Sequence, residues 1–217
     1  THSNFFSWAT TDSANELILE TSKSSGFKNL NVWWDDVRIM IDTDYNPLSP
    51  DLNDLQWHHV AVSLSPSAAS GNCFALVDGI MSTFICGGAD PLKKTGTIVL
   101  GQDQDIVGGN FNQYQAFYGR LSRVFVYGEA LGEDVLRNIG NHHQAGTPIA
   151  TFADFVSLGG VVTEPTSLAV DTGNCANYEA LPSVSFSAGN GDRVVQASGA
   201  GSRAVFMETR SCTSLGC

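Results

Sequence analysis

GTIVLGQDQDIVGGNFNQYQAFYGRLSRVFVY, residues 96–127, sets a polar, Gly-rich loop between two strand-like segments. Asp103, Gln104 and Asp105 stand side by side in it, followed by Asn112 and Gln115. Oxygen donors at short alternating spacing, with glycines that let the backbone fold around a centre, suit a hard cation such as Ca²⁺. Calcium takes roughly six to eight oxygen ligands, so a loop with two carboxylates, amide side chains and its own carbonyls supplies most of a shell. An isolated Asp-x-Asp is more often a solvated acidic turn; the residues around this one favour the cation.

Working outward, GTIVLG (96–101) and LSRVFVYG (121–128) alternate apolar and polar residues, as half-buried strands do. ELILET (16–21), NVWWDDVRIMI (31–41), HHVAVSL (58–64), FALVDG (74–79) and IMSTFIC (80–86) repeat that pattern. DYNPLSPDLND (44–54) reads as a loop from its prolines and Asx residues. GEDVLRNIGNHHQAG (132–146) is the one helical candidate, with Val135, Leu136 and Ile139 apolar and a glycine to close it. An all-β pattern with one short helix predicts two packed antiparallel sheets. In such a sandwich Trp33, Trp34 and Trp57 are expected to be packing residues rather than ligand platforms.

The 217 residues suffice for one large β-sandwich, and 42% hydrophobic content with 22 glycines fits a globular β protein. The formal charge is −11, with a pI of about 4.6. The 11 Lys and Arg residues are scattered, so no basic face exists for a nucleic acid. No apolar run approaches the length of a membrane span. The chain lacks an initiator Met, which reads as a processed or excerpted piece of a longer protein. No Cys-x-x-Cys pair is present, so the five cysteines point to an oxidising, extracellular compartment rather than to metal thiolates. Cys73 and Cys86 flank a hairpin whose Asp78-Gly79 is a two-residue turn signal, within cross-strand reach for a disulfide. Cys175, Cys212 and Cys217 leave an odd set, one free or paired with another chain; five buried reduced thiols is the open alternative.

The words GQDQDIVGGNFNQYQ (101–115) and AFYGRLSRVFVYGEAL (116–131) resemble the metal loop and following strand of the pentraxins. FFSWATTDSANELIL (5–19) is similar to that family's strand pair around an Asp-Asn dipeptide. WHHVAVSLSPSAASGNCFALVDG (57–79) resembles its Trp-His strand and hairpin, and IATFADFVSLGGVVTEPTSL (149–168) its last two strands. The resemblance implies a two-sheet antiparallel jelly-roll sandwich with a single helix. It also implies metal ligands, carried over position by position. Asn15 matches the Asn of the early pair, but Ala14 stands where the Asp should be. Asp103 replaces a Glu, Gln104 (through its carbonyl) and Asp105 match, Asn112 occupies a later acidic position, and Gln115 matches. Fewer carboxylates mean weaker Ca²⁺ binding, and one site rather than two is expected. Asp12, two residues before Ala14, is a possible substitute ligand. Glu20 stands at an apolar position of the family's phosphocholine pocket, so that ligand is not carried over.

Residues 169–217 extend past the family's usual end. PSVSFSAGNGDRVVQA (182–197) and SRAVFMETRSC (202–212) are weakly similar to the first strands of a pentraxin, which residues 1–20 lack. The expected organisation is therefore a sandwich over 1–168 short of its first strands. The tail over 169–217 would supply them in cis, to the next repeat or to a neighbouring subunit. An independent disulfide-bound module is the competing reading of the tail.

Enzymatic signals are weak. The Asp-Gln-Asp run lacks the strand-borne spacing of a glycan-cleaving acid pair, and no Gly-x-Ser-x-Gly or Ser-His-Asp setting occurs. His58-His59 and His142-His143 are adjacent pairs that cannot easily share a metal, and ordinary surface or core roles are expected. The sequence thus points to a secreted, non-enzymatic, Ca²⁺-binding structural or adhesive unit whose main partner is a copy of itself. The alternative is a soluble, Ca²⁺-dependent, lectin-like protein that recognises glycans or other extracellular ligands.

Overall fold

A computed structural model describes residues 2–22, 30–40, 51–65, 72–86, 95–117, 119–140, 146–151, 154, 156–157, 161–163, 183–186, 193–198 and 203–211. Cys175, Cys212, Cys217, His142, His143 and most of the loop at 44–54 lie outside these residues. The strands in chain order are β1 (His2–Ala9), β2 (Leu17–Ser22), β3 (Leu30–Trp34), β4 (Val37–Met40), β5 (Trp57–Leu64), β6 (Asn72–Val77), β7 (Ile80–Ile85) and β8 (Thr95–Leu100). Then come β9 (Gly119–Tyr127), helix α1 (Glu133–Gly140), β10 (Ala150–Thr151), β11 (Val156–Ser157), β12 (Val161–Thr163), β13 (Ser183–Phe186), β14 (Arg193–Ser198) and β15 (Arg203–Ser211).

These strands form two antiparallel sheets. The first runs β11-β14-β8-β1-β2-β3-β4, and the second runs β12-β13-β9-β15-β5-β6-β7, with β10 beside β9. One apolar cluster joins them: Phe6, Trp8, Leu17 and Leu19 of the first sheet meet Val60, Val62, Ala75 and Val124 of the second. Alternation accounts for this on β2, where Leu17 and Leu19 face the core and Ile18 and Glu20 face away. On β1 the alternation breaks. A bulge between Asn4 and Phe6 lets Phe5 and Phe6, consecutive in sequence, both enter the core. Each such large apolar side chain taken out of water contributes about 1.5–3 kcal/mol before entropy is counted.

The second sheet is apolar on both faces, which explains the near-continuous run VAV on β5. Val60 and Val62 point into the sandwich, while Ala61, with Leu76 and Tyr127, packs under Leu136 and Ile139 of α1. The helix is seated by Arg137, which bonds Glu133 at 2.7 Å one turn back and donates to the Gly79 carbonyl at 3.2 Å. Asp78 and Gly79 both have positive φ, 48° and 80°, the conformation a two-residue hairpin turn needs. Across that hairpin Cys73 and Cys86 form a disulfide, with Cα atoms 5.8 Å apart.

The continuous strand expected over 31–41 is instead two strands. The chain reverses at Asp35 and Asp36, whose φ values are 48° and 62°, and β3 pairs with β4. Aspartate tolerates this left-handed turn, and Asp36 is held there by the Asn15 Nδ2 donating at 2.7 Å. The apolar alternation resumes immediately at Val37, which is why the break is invisible to periodicity.

Where β8 crosses β1, no side chain fits at Gly96. A Cβ there would run into the Trp8 indole and the Ala9 carbonyl. Gly96→Ala should therefore cost about 1–3 kcal/mol by overpacking. The expected result in urea unfolding is a lower midpoint at unchanged slope.

Candidate cation site

The loop that joins β8 to β9 is shaped by buried amides. One end is tied to β1, Gly101 N–H donating to the Phe5 carbonyl at 3.1 Å, and the other end closes on the first, Phe117 N–H donating to the Gly101 carbonyl at 2.9 Å. The Phe117 ring meets that of Phe5 edge-on, 6.1 Å between centroids. Inside the loop, the Gln104 side chain is wholly buried. Its Nε2 donates to the Ser7 and Thr97 carbonyls at 3.0 and 2.9 Å, and its Oε1 accepts from Gly108 N–H at 2.8 Å. Gln102, equally buried, donates to the Asn112 carbonyl at 2.9 Å and accepts from Asp103 N–H at 3.2 Å. A glutamine that carries both donor and acceptor can strap two main-chain segments at once, and these two do so at both halves of the loop. Gln102 was not singled out from the sequence. Its only signal there is its place beside Asp103.

The straps present the polar residues to one cleft of about 220 Å³. It is lined by Asn15, Ile18, Glu20, Trp33, Asp103, Asp105 and Gln115. Asn15 arrives from the β1–β2 turn, Ile18 and Glu20 from the outer face of β2, and Trp33 from β3, where it stands opposite Ile18. Asp103 is 5% exposed; its Oδ1 accepts from Gln104 N–H at 2.9 Å and its Oδ2 from the Gln115 amide at 2.7 Å. Asp105 is exposed and accepts from the Asn110 amide at 3.3 Å. Glu20, 4% exposed, accepts from the Trp33 indole N–H at 3.0 Å. Trp33 is thus a wall of the cleft, not only a packing residue.

Four of the residues expected from the sequence, Asn15, Asp103, Asp105 and Gln115, meet in this cleft. Gln104 contributes its side chain to the interior, which leaves its main-chain carbonyl as the group nominated for a metal. Asn112 does not line the cleft; its Oδ1 accepts from Tyr114 N–H at 3.0 Å and caps a short 3₁₀ turn, Gln113–Gln115. Asp12 does not line it either. Among the described residues, no three His, Cys, Asp or Glu side chains converge as a metal-holding group. The donor set is mixed instead, carboxylates with amides, all hard oxygens of the kind Ca²⁺ prefers and without a thiolate or imidazole. In that set Gln115 now turns an amide nitrogen to Asp103, and a half-turn of its terminal amide brings its oxygen to the same place.

The model of the Pentaxin family matches residues 1–162. The chain belongs to the pentraxin family. It is 28% identical to human neuronal pentraxin-2 over 138 residues, 63% of this chain and 29% of that protein. It is 30% identical to human neuronal pentraxin-1 over 143 residues, 62% of this chain and 29% of that one. With the mouse neuronal pentraxin receptor it shares 29% over 128 residues, 58% of this chain and 24% of that protein. The match thus spans less than a third of the length of these relatives. Pentraxins are non-enzymatic binding proteins, secreted or extracellular, that generally bind Ca²⁺ and oligomerise. Among the described residues, no helix is long and apolar enough to cross a membrane.

Because Gln104 holds Ser7, Thr97 and Gly108 together, Gln104→Ala strands main-chain groups in a dry interior. The expected loss is about 1–3 kcal/mol of stability. Hydrogen exchange should show the Gly108 amide deprotected, with amides of the β2–β3 ladder unchanged.

Proposed function

We propose that this pentraxin module is an extracellular, Ca²⁺-binding structural or adhesive unit that links to copies of itself by strand complementation. Residues 1–168 form the sandwich short of its first strands, and residues 169–217 carry the strands that complete it. The observation that carries this reading is the position of β15. This strand, the last among the described residues, is hydrogen-bonded along both edges, to β5 from Arg203 to Arg210 and to β9 from Ala204 to Ser211. A strand in that slot contributes the same backbone bonds whether it comes from its own chain, from the next repeat or from a neighbouring subunit. Donation to a neighbour is heterologous, so it propagates into a filament unless rotation closes a ring.

Calcium fits this role as a local brace. Asp103, Asp105, the Gln104 carbonyl and the amide oxygens of Asn15 and Gln115 would hold one ion, tying the β1–β2 turn to the β8–β9 loop. Bound there, the ion supplies charge neutralisation and cross-linking. Asn112, engaged in capping, gives no support to a second ion. The alternative, a Ca²⁺-dependent lectin-like protein, is favoured by one observation: an indole and a carboxylate, Trp33 and Glu20, line the cleft beside the loop acids. A glycan would then be the reversible partner.

Electron microscopy and light scattering of the intact chain, with and without EDTA, test the first reading. Long assemblies that depend on residues 183–211 are expected; a monomer at all concentrations would overturn it. For the metal, saturating Ca²⁺ at a hundredfold excess over Kd should raise stability by about 2.7 kcal/mol. Asp103→Asn together with Asp105→Asn should weaken binding in calorimetry by about tenfold or more, because carboxylate count sets affinity.

A further inference from the structure

We propose that Asp54, His58 and Asp78 form a proton-dependent clamp, in which a protonated imidazole ties the loop before β5 to the β6–β7 turn and releases the loop when its proton leaves. His58 is 3% exposed, and both of its ring nitrogens meet carboxylates. Nδ1 lies 2.7 Å from Asp78 Oδ2, and Nε2 lies 2.8 Å from Asp54 Oδ1. Carboxylates only accept, so both contacts are hydrogen bonds only when both nitrogens carry protons. The residues come from three places. Asp54 belongs to the turn at 51–56, His58 to β5, and Asp78 to the positive-φ position of the hairpin. Asp78 is further fixed by His59 N–H, which donates to its other oxygen at 2.7 Å. Asp54 has a local anchor of its own, Gln56 N–H at 2.7 Å.

Among the described residues, charged groups stand on the loop, on α1 and on β15. On the loop, Asp51 accepts from Asn53 N–H at 3.0 Å. From α1, Arg137 reaches the Gly79 carbonyl, its charge paired with Glu133. From β15, Thr209 stands opposite His58 with Glu208 and Arg210 on either side in sequence. Burial pulls the imidazole pKa down, but the Asp78 and Asp54 carboxylates outweigh it, and the net direction is upward from the ordinary histidine value. The sign follows. A group with a raised folded-state pKa contributes stability that is fully present below about 6.5, its unfolded value, and is lost as pH rises through the folded value. Above that point one nitrogen keeps a proton and the other turns a lone pair to a carboxylate. Asp78 is bonded to β5 itself through His59 N–H, whereas the other bond of Asp54 lies within its own turn, so the Asp78 side retains the proton and the Asp54 side opens.

NMR titration of the imidazole, with thermal unfolding across pH, tests the clamp. The His58 ring should stay protonated above the ordinary midpoint. Asp78→Asn should lower that midpoint further than Asp54→Asn. The Tm of the unaltered chain should fall from mild acid toward alkali relative to that of His58→Gln, and amides of residues 51–56 should lose exchange protection over the same interval while Val77 keeps its own. A His58 midpoint at or below the ordinary value overturns the proposal, as do parallel Tm–pH curves for the two chains. The ring titration needs no variant, so a His58→Gln chain that fails to fold leaves the test intact.

Discussion

The fold depends on β15 occupying the gap between β9 and β5. Without it, the second sheet separates into β12-β13-β9 with β10 on one side and β5-β6-β7 on the other, each with an unpaired inner edge. Buried N–H and C=O groups left without partners cost on the order of a lost hydrogen bond each, so neither half is a stable surface for the first sheet to pack on. The strand that closes this gap is the last among the described residues, and its partner β5 lies more than a hundred residues earlier in sequence. Closing it requires ordering a very long loop before the contacts reward it. A late central strand makes exchange between copies a question of concentration and connection, since the slot is the same in either case.

The two faces of the sandwich divide the labour. The second sheet is covered on both sides, by the first sheet within and by α1 without, and its sequence is correspondingly apolar. The first sheet turns Ile18, Glu20 and Trp33 away from the core, and this is the face that meets the β8–β9 loop. The loop is held less by its glycines than by Gln102 and Gln104, two side chains with no exposure at all. Rigid main-chain straps of this kind let an exposed carboxylate such as Asp105 be placed without a packed core of its own.

Much of this was legible in the sequence, and the failures have physical reasons. The alternation of ELILET and HHVAVSL gave strand type and facing, because the period of a pleat is indifferent to tertiary context. The Asp78-Gly79 hairpin was legible because its chemistry is local. The Asp35-Asp36 reversal was not, since its stabilising partner, Asn15, lies twenty-one residues away. The hydrogen-bond partners of His58 were not legible either. One of its carboxylates is four residues back, and the other becomes its neighbour only when β6 folds onto β5. Asn15, Asp103, Asp105 and Gln115 line one cleft, while the different duties of Gln104 and Asn112, an interior strap and a turn cap, depend on which way each side chain points.

Ala14 and Asn112 remove carboxylates from positions where the pentraxin pattern has acids, and a loss of negative charge at the site is the natural reading of the loop alone. The cleft shows charge moved rather than lost. Glu20, on the floor contributed by β2, adds a carboxylate beside Asp103 and Asp105, and no Lys or Arg is among the lining residues. At 4% exposure Glu20 is far less hydrated than Asp105, and a desolvated carboxylate is costly unless something offsets its charge. The Trp33 indole N–H supplies one hydrogen bond toward that offset. Asp103 is in the same position, held by a main-chain N–H and an amide. Under the proposed reading of this cleft as a cation site, the β2 floor would add a carboxylate to those of the loop, at a position that departs from the family pattern.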